Sequence, residues 1–465
     1  MEPKARIRLS RRDVLVGMGL APAVLRASPG PTMATDAFRR FAPTPPMGWN
    51  SWDSFGPTIR EDDARTNAQI MAQQLLPHGY DIFTVDIQWY EPGANGYDYR
   101  KGAELTMDRW GRLIPAPNRF PSAGGGAGFT PLARYIHSLG LKFGIHILRG
   151  VPRQAAERNT PILGTHYGAT DIADRINVCE WNSDMFGINM SRPGAQAYYD
   201  SIVGLYASWG VDFIKADDMS RPYQRNAPEI HALRRAIDRC GRPIILSLSP
   251  GETPVAAAAD VIESANLWRI SDDFWDSWPA LLEQFERLRK WSPYRREGNW
   301  PDADMLPLGV LDLGRRKTRF TADEQVTLMT LWSIARSPLI MGGDLRKLDD
   351  ATRELLTNDE VLAVNRASRE NREIRNKDGV VLWQARETPG PDTYVAAFNI
   401  RDPDPAAGFP SVTIPLAQLG LSGRHRVRDL WKRADLATVP DHFATTVAWH
   451  GAALFRLSPS VANKG

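Results

Sequence analysis

Eight short apolar runs, separated by segments of helical period, narrow the choice of fold more than any other feature of this chain. They are MGWNSW (47–52), YDIFTVDIQW (80–89), LKFGIHIL (141–148), VDFIKADD (211–218), PIILSLSP (243–250), ANLWRISDD (265–273), NWPDADML (299–306) and SPLIMGGDL (337–345). Continuous apolar and β-branched runs of this length suit strands buried on both faces. Between them, Leu132, Tyr135, Ile136 and Leu139 recur at helical spacing, as do Tyr198, Ile202, Leu205 and Trp209. Thr321 and Glu324 form a capping-box signal ahead of QVTLMTLWSIA. This alternation predicts an α/β fold, a (β/α)8 TIM barrel over residues 41–365. A doubly wound open sheet is the alternative, but no GxGxxG follows the first run. The glycine-rich SAGGGAG (122–128) lacks the Gly-Lys-Ser/Thr of a phosphate loop and reads as a loop tip.

After residue 365 the helical period stops. DGVVLWQAR, TYVAAFNI, SVTIPL, HRVRDLW, TTVAWH and AALFRL follow at short intervals between turn residues. That spacing predicts a small C-terminal antiparallel β-sandwich over 366–465. At the other end, Ser10-Arg11-Arg12, a short apolar run and small residues near Ala27 have the layout of a twin-arginine export signal over residues 1–30. A periplasmic or secreted location is expected. No run is long enough for a stable membrane anchor. The net charge of +3 gives no support for nucleic acid as a partner. The two cysteines, outside any CxxC pair, exclude a disulfide-stapled scaffold. Cys240 continues the helical spacing of Ile230, Leu233 and Ile237 and reads as a core residue.

In a barrel of this kind the site lies at the C-terminal ends of the strands. The polar residues there are Asn50, Trp52 and Asp53 with Trp49; Asp86, Gln88 and Trp89; His146 and Arg149; Lys215, Asp217 and Asp218; Ser247 and Ser249; Arg269, Asp272 and Asp273; and Asp302 and Asp304 with Trp300. Phosphate substrates would call for more cations and fewer acids. Metal chemistry lacks an HExxH or a facial histidine pair, and no metal or cofactor is expected. Carboxylates that accept hydrogen bonds from hydroxyls, beside indole faces, suit a neutral polyol. Two carboxylates from opposed strands suit glycoside hydrolysis.

The motifs TPPMGWNSWDSFG (44–56), VDIQWYEP (85–92), GVDFIKADD (210–218), WRISDDFWDSW (268–278), NWPDADMLPLG (299–309) and SPLIMGGDLR (337–346) resemble, in order and spacing, glycoside hydrolase family 27. That is the α-galactosidase and α-N-acetylgalactosaminidase family. The resemblance implies a retaining double displacement that removes terminal α-D-galactose from an oligosaccharide, polysaccharide or glycoconjugate. By motif position Asp217 is the nucleophile and Asp273 the general acid/base, their carboxyls about 5–5.5 Å apart. Asp273 must begin protonated, and partial burial beside a second carboxylate is expected of it. Trp49, Asp86, Lys215, Arg269 and Asp304 match the family's sugar-contact positions.

The chain departs from the family pattern at several of these places. Ile87 replaces the second of two adjacent acids that hold the galactose 4- and 6-hydroxyls. His146 replaces a tyrosine, either as a sugar contact or as a space filler. Met219 replaces a cysteine, so the family's disulfide there is absent. Ser249 replaces a glutamate against the 2-hydroxyl, which resembles the N-acetylgalactosaminidase pattern. The long connection 149–190 offers Arg149, Arg153, His166 and Trp181 as further contacts. The alternatives are therefore an α-N-acetylgalactosaminidase, a β-L-arabinopyranosidase or an isomaltodextranase-type α-glucan hydrolase. From another class, a non-catalytic carbohydrate-binding protein is opposed by the presence of both Asp217 and Asp273.

Overall fold

The eight apolar runs form eight parallel strands: β1 Met47–Asn50, β2 Ile82–Val85, β3 Lys142–Leu148, β4 Phe213–Asp217, β5 Ile245–Leu248, β6 Leu267–Arg269, β7 Trp300–Asp302 and β8 Leu339–Met341. The computed structural model describes residues 37–404, 406 and 408–460; the segment read as an export signal lies outside them. The strands pair in the order β7-β6-β5-β4-β3-β2-β1-β8. Between β7 and β8 the wall closes just past β7. There Leu306 N donates to Ile340 O at 2.7 Å, and Gly342 N donates to Leu306 O at 3.0 Å. A principal helix follows each strand: α1 Glu61–Gln74, α2 Thr130–Ser138, α3 Ala195–Trp209, α4 Tyr223–Arg239, α5 Ala258–Ser264, α6 Trp278–Trp291, α7 Ala322–Ala335 and α8 Asp359–Arg366. The sequence thus folds as a (β/α)8 barrel.

The ladders are shorter than the apolar runs because the chain turns out of the wall while its next residues stay buried. Ile87 and Trp89, past the end of β2, are as buried as the strand itself. Local signals act where expected. Thr321 caps α7 by accepting from Glu324 N, and Glu324 returns a bond from Thr321 N at 2.9 Å. Gly210 ends α3 at φ +93, a conformation that favours glycine. Ala42, Ile82, Phe213, Ile245, Leu267 and Trp300 fill the N-terminal end of the barrel. The polar residues are left to the opposite end.

The C-terminal region holds eight antiparallel strands: β9 Ser368–Lys377, β10 Val380–Glu387, β11 Thr393–Asn399, β12 Ser411–Pro415, β13 His425–Asp429, β14 Ala434–Val439, β15 His442–Thr446 and β16 Ala452–Pro459. Six pair in the order β9-β10-β11-β16-β13-β14, and β12 pairs with β15 as the second layer. Sequence patterning misses β9 and β14. Both are charged or exposed edge strands whose apolar alternation is too sparse to register. Strand period governs the packing between the layers. Val381, Trp383 and Phe398 join the barrel's core, with Phe398 edge-on to Phe285 of α6 at 5.0 Å. Val380, Leu382 and Val395, on the alternate face, meet Val412, Ile414 and Phe443 of the second layer.

Two half-buried arginines staple the barrel to the first sandwich strand. Arg336 donates to Asn365 O at 2.8 Å, Ser368 O at 2.5 Å and Arg366 O at 3.0 Å. Arg295 donates to Ala335 O at 2.8 Å and Asn371 O at 3.0 Å. Replacing Arg336 by Met strands three carbonyls. Arg336→Met is expected to lower stability by about 2–4 kcal/mol, read as a fall in the urea midpoint; an unchanged midpoint would refute the staple.

Candidate active site

At the C-terminal mouth of the barrel lies a cavity of about 470 Å³, bordered by Asp86, Ile87, Lys215, Asp217, Arg269, Asp273 and Asp304 and roofed by aromatic residues. Strand period lets β4 deliver two groups to it. Lys215 and Asp217 are two residues apart and share the inward face. Parallel register sets His146 of β3 beside Lys215, and Lys215 beside Ser247 of β5.

Lys215 and Asp217 each sit in an ion pair, close enough for their charges to act on one another. Lys215 Nζ lies 2.9 Å from Asp86 Oδ2, which also accepts from Asn50 Nδ2 at 2.7 Å. His146 Nε2 lies 2.8 Å from Asp217 Oδ2, and Asp218 N donates to Asp217 Oδ1 at 2.9 Å. Burial alone would raise the Asp217 carboxyl. The His146 hydrogen bond and charge, with the Lys215 charge, outweigh it and hold Asp217 below the ordinary carboxylate range. Asp86 is likewise held low, burial being outweighed by Lys215, His146 and Asn50. Burial works against the Lys215 ammonium, but Asp86, Asp217 and Asp304 overcome it and keep it charged.

A second group centres on Arg269. Its Nη2 lies 2.7 Å from Asp304 Oδ2 and 3.3 Å from Asp273 Oδ1. Asp304 also accepts from Phe274 N at 2.7 Å and Met305 N at 2.8 Å. Burial, eased by Arg269, raises Asp304, and burial with the Asp304 charge pushes Asp302 up to about 7. Asp273 departs from the expected partial burial. Its side chain is 58% exposed, at the rim of the cavity.

The structure brings Asp86, Lys215, Asp217, Arg269, Asp273 and Asp304 together on one cavity. It places three other expected contacts behind that wall. Trp49 is fully buried, stacked on Phe83 at 4.7 Å with its Nε1 donating to Gly343 O at 2.7 Å. Trp52, three residues on, is the indole of this motif that lines the cavity. His146 is also fully buried, and its observed partner is Asp217. Ser249 is buried with no hydrogen-bond partner for its Oγ, beside a hollow of about 20 Å³ under Lys215 and Arg269.

The cavity wall adds groups that sequence reasoning did not select. Tyr99 comes from the loop after β2 and stacks on Trp52 at 6.0 Å; its one sequence signal is an aromatic pair, Tyr97 and Tyr99, in an otherwise polar loop. Trp275 joins the wall from the turn after β6. Asp53, one of the polar residues expected at the end of β1, also lines it, with Oδ2 buried and without a hydrogen-bond partner among the described residues. Burial and the Asp304 charge hold its carboxyl well above the ordinary range.

Residues 149–190 carry structure of their own: Val151–Pro152, Ala173–Val178 and Met185–Ile188 form a three-stranded sheet with two short helices. Of its four candidate contacts, Trp181 reaches the cavity. Arg153 pairs with Glu157 at 3.0 Å, and His166 packs on Tyr167, away from the cavity. Arg149 lies underneath, bridging Asp218 at 2.6 Å and Glu229 at 2.7 Å, while Tyr199 donates to Glu229 at 2.7 Å. Arg149 N also donates to Asp217 O at 3.0 Å. This buried network clamps the end of β4 to that of β3. Arg149→Met would leave Asp218 and Glu229 buried without their cation. A loss of about 3–5 kcal/mol is expected, measured by chemical unfolding, with part recovered in Arg149→Met/Glu229→Gln; no recovery would show that Glu229 is not the stranded charge.

Comparison with known proteins agrees with this geometry. The Alpha galactosidase A family model matches residues 44–191 and 184–367, and the Alpha galactosidase C-terminal beta sandwich domain matches 377–457. The chain is 50% identical to a solved β-L-arabinopyranosidase of Geobacillus stearothermophilus, with a TM-score of 0.89 over 92% of this chain and 99% of that one. An aspartate-to-alanine variant of that enzyme was solved in complex with arabinose. An alpha-galactosidase of Cyamopsis tetragonoloba is 27% identical over 90% of this chain and 86% of its own length. An alpha-N-acetylgalactosaminidase of Gallus gallus is 28% identical over 70% of each. With an acid-lined cavity at the mouth of a barrel and both domain models matched in order, this chain belongs to glycoside hydrolase family 27 and is a glycosidase.

Proposed function

We propose that the enzyme is a retaining exo-glycosidase whose terminal sugar is β-L-arabinopyranose, exported as residues 10–12 indicate. The observation that carries the sugar is Ile87 in the cavity wall, next to Asp86. β-L-Arabinopyranose has the ring stereochemistry of α-D-galactopyranose without the hydroxymethyl group on C5. A galactose site gains by bonding that sixth hydroxyl, and a buried hydroxyl left unbonded is costly. The Ile87 side chain neither donates nor accepts, and it suits a bare ring methylene. Asp86 and Lys215 remain to hold the axial 4-hydroxyl. The 50% identical arabinopyranosidase supports the same sugar. Galactose is the second reading, favoured by Asp86 and the α-galactosidase relatives.

In this reading Asp217, kept ionised by His146 and Lys215, attacks the anomeric carbon. The bond to the leaving oxygen breaks as Asp273 gives that oxygen its proton. Asp273 then takes a proton from water, whose oxygen displaces Asp217 and frees the sugar. The exposed position of Asp273 lets it reach first the leaving group and then water. Arg269 holds Asp273 and Asp304 on one guanidinium.

A nitrophenyl glycoside panel tests the sugar. The β-L-arabinopyranoside is expected to exceed the α-galactoside, α-N-acetylgalactosaminide and α-glucoside at least tenfold in kcat/KM, with Asp217→Asn inactive as control. A faster α-galactoside would overturn the choice of sugar, and an active Asp217→Asn the choice of nucleophile. The pH profile tests His146. His146→Phe removes the hydrogen bond and charge that do most to depress Asp217, so its pKa rises and the acid limb of kcat/KM should move to higher pH; an unmoved limb would assign that limb to another group.

A further inference from the structure

Beside the central cavity lies a second hollow of about 220 Å³ that shares Trp181, Arg221 and Pro250 with it. We propose that this hollow is the leaving-group subsite and that it takes one neutral pyranose ring, the sugar next to the one removed. The proposal rests on reading the central cavity as the site of the terminal sugar.

Its position follows from the acid. Arg221 borders both spaces and bonds Asp272 at 2.9 Å, one residue from Asp273. The hollow thus adjoins, through Arg221, the turn that carries Asp273. Its platform is Trp181, a large indole left 39% exposed. The indole is tilted 47° against Tyr99 at 5.5 Å, and Tyr99 stacks on Trp52. Three rings therefore run from the terminal-sugar cavity out to the hollow. An exposed indole face of this kind covers the C–H face of a sugar ring.

The charges select a neutral ring. Arg221 is taken by Asp272, and Asp218 by Arg149. Glu180 and Arg225 remain on the lining, one of each sign. Together they offer an acceptor and a donor for hydroxyls, with no net attraction for a uronate or a phosphate.

The test compares two substrates that share the terminal sugar the enzyme cleaves best. One is its glycosyl fluoride, whose leaving group is too small to enter the hollow. The other is a disaccharide capped by that sugar. Trp181→Ala should lower kcat/KM at least tenfold more on the disaccharide than on the fluoride, and Trp181→Phe should recover the disaccharide to within about threefold of wild type. Equal losses on both substrates would place Trp181 on the terminal sugar and overturn the subsite, as would no loss on either. A uronic-acid-ended disaccharide cleaved faster than the neutral one would overturn the neutral ring. Because the comparison is a ratio at a fixed terminal sugar, it holds whichever sugar wins the panel, so a wrong sugar and a wrong subsite give different results.

Discussion

The mouth of this barrel depends on two cations. Asp53, Asp86, Asp217, Asp302 and Asp304 are all buried there, and an unpaired carboxylate in such a place gives up its charge. Lys215 and Arg269 divide these groups between them. Near Lys215 the carboxyls are held low and ionised; away from it, around Asp304, they are pushed up. Lys215, joined by His146 at Asp217, therefore helps set which of several chemically identical groups can act as an anion.

The two proposed catalytic carboxyls are held in opposite ways. Asp217 is fixed from three sides, by His146, by Asp218 N and through its carbonyl by Arg149 N. Asp273 stands at the rim, paired with Arg269. A nucleophile gains from a fixed line of attack. An acid that must serve a bulky leaving group and then water gains from standing in the open. The same barrel supplies both, because β4 lies inside the wall and the turn after β6 does not.

Much of this was legible in the sequence. The eight strands were, because short apolar runs that alternate with helical segments fit few architectures besides a barrel, and so were the acids and cations at their ends. What failed was the direction of individual side chains. Trp49 and Trp52 lie in one motif, and only their positions on either side of the turn after β1 decide which reaches the cavity. His146 faces inward as expected, but packing pairs it with Asp217 before a ligand could meet it. Tyr99 sits on a long excursion, where no strand or helix period says which way a residue points. The edge strands β9 and β14 escaped for the related reason that their exposed positions carry too little apolar pattern.

The clamp at Arg149 has a consequence for where the enzyme can be made. Met219 occupies the place of a cysteine, and both cysteines of the chain are free. The loop behind Asp217 is therefore tied by an arginine between two acids, without a bond between sulfurs. No oxidant is needed to complete it, and thiol reductants have nothing there to cut. The assembly of this loop therefore does not depend on an oxidising compartment.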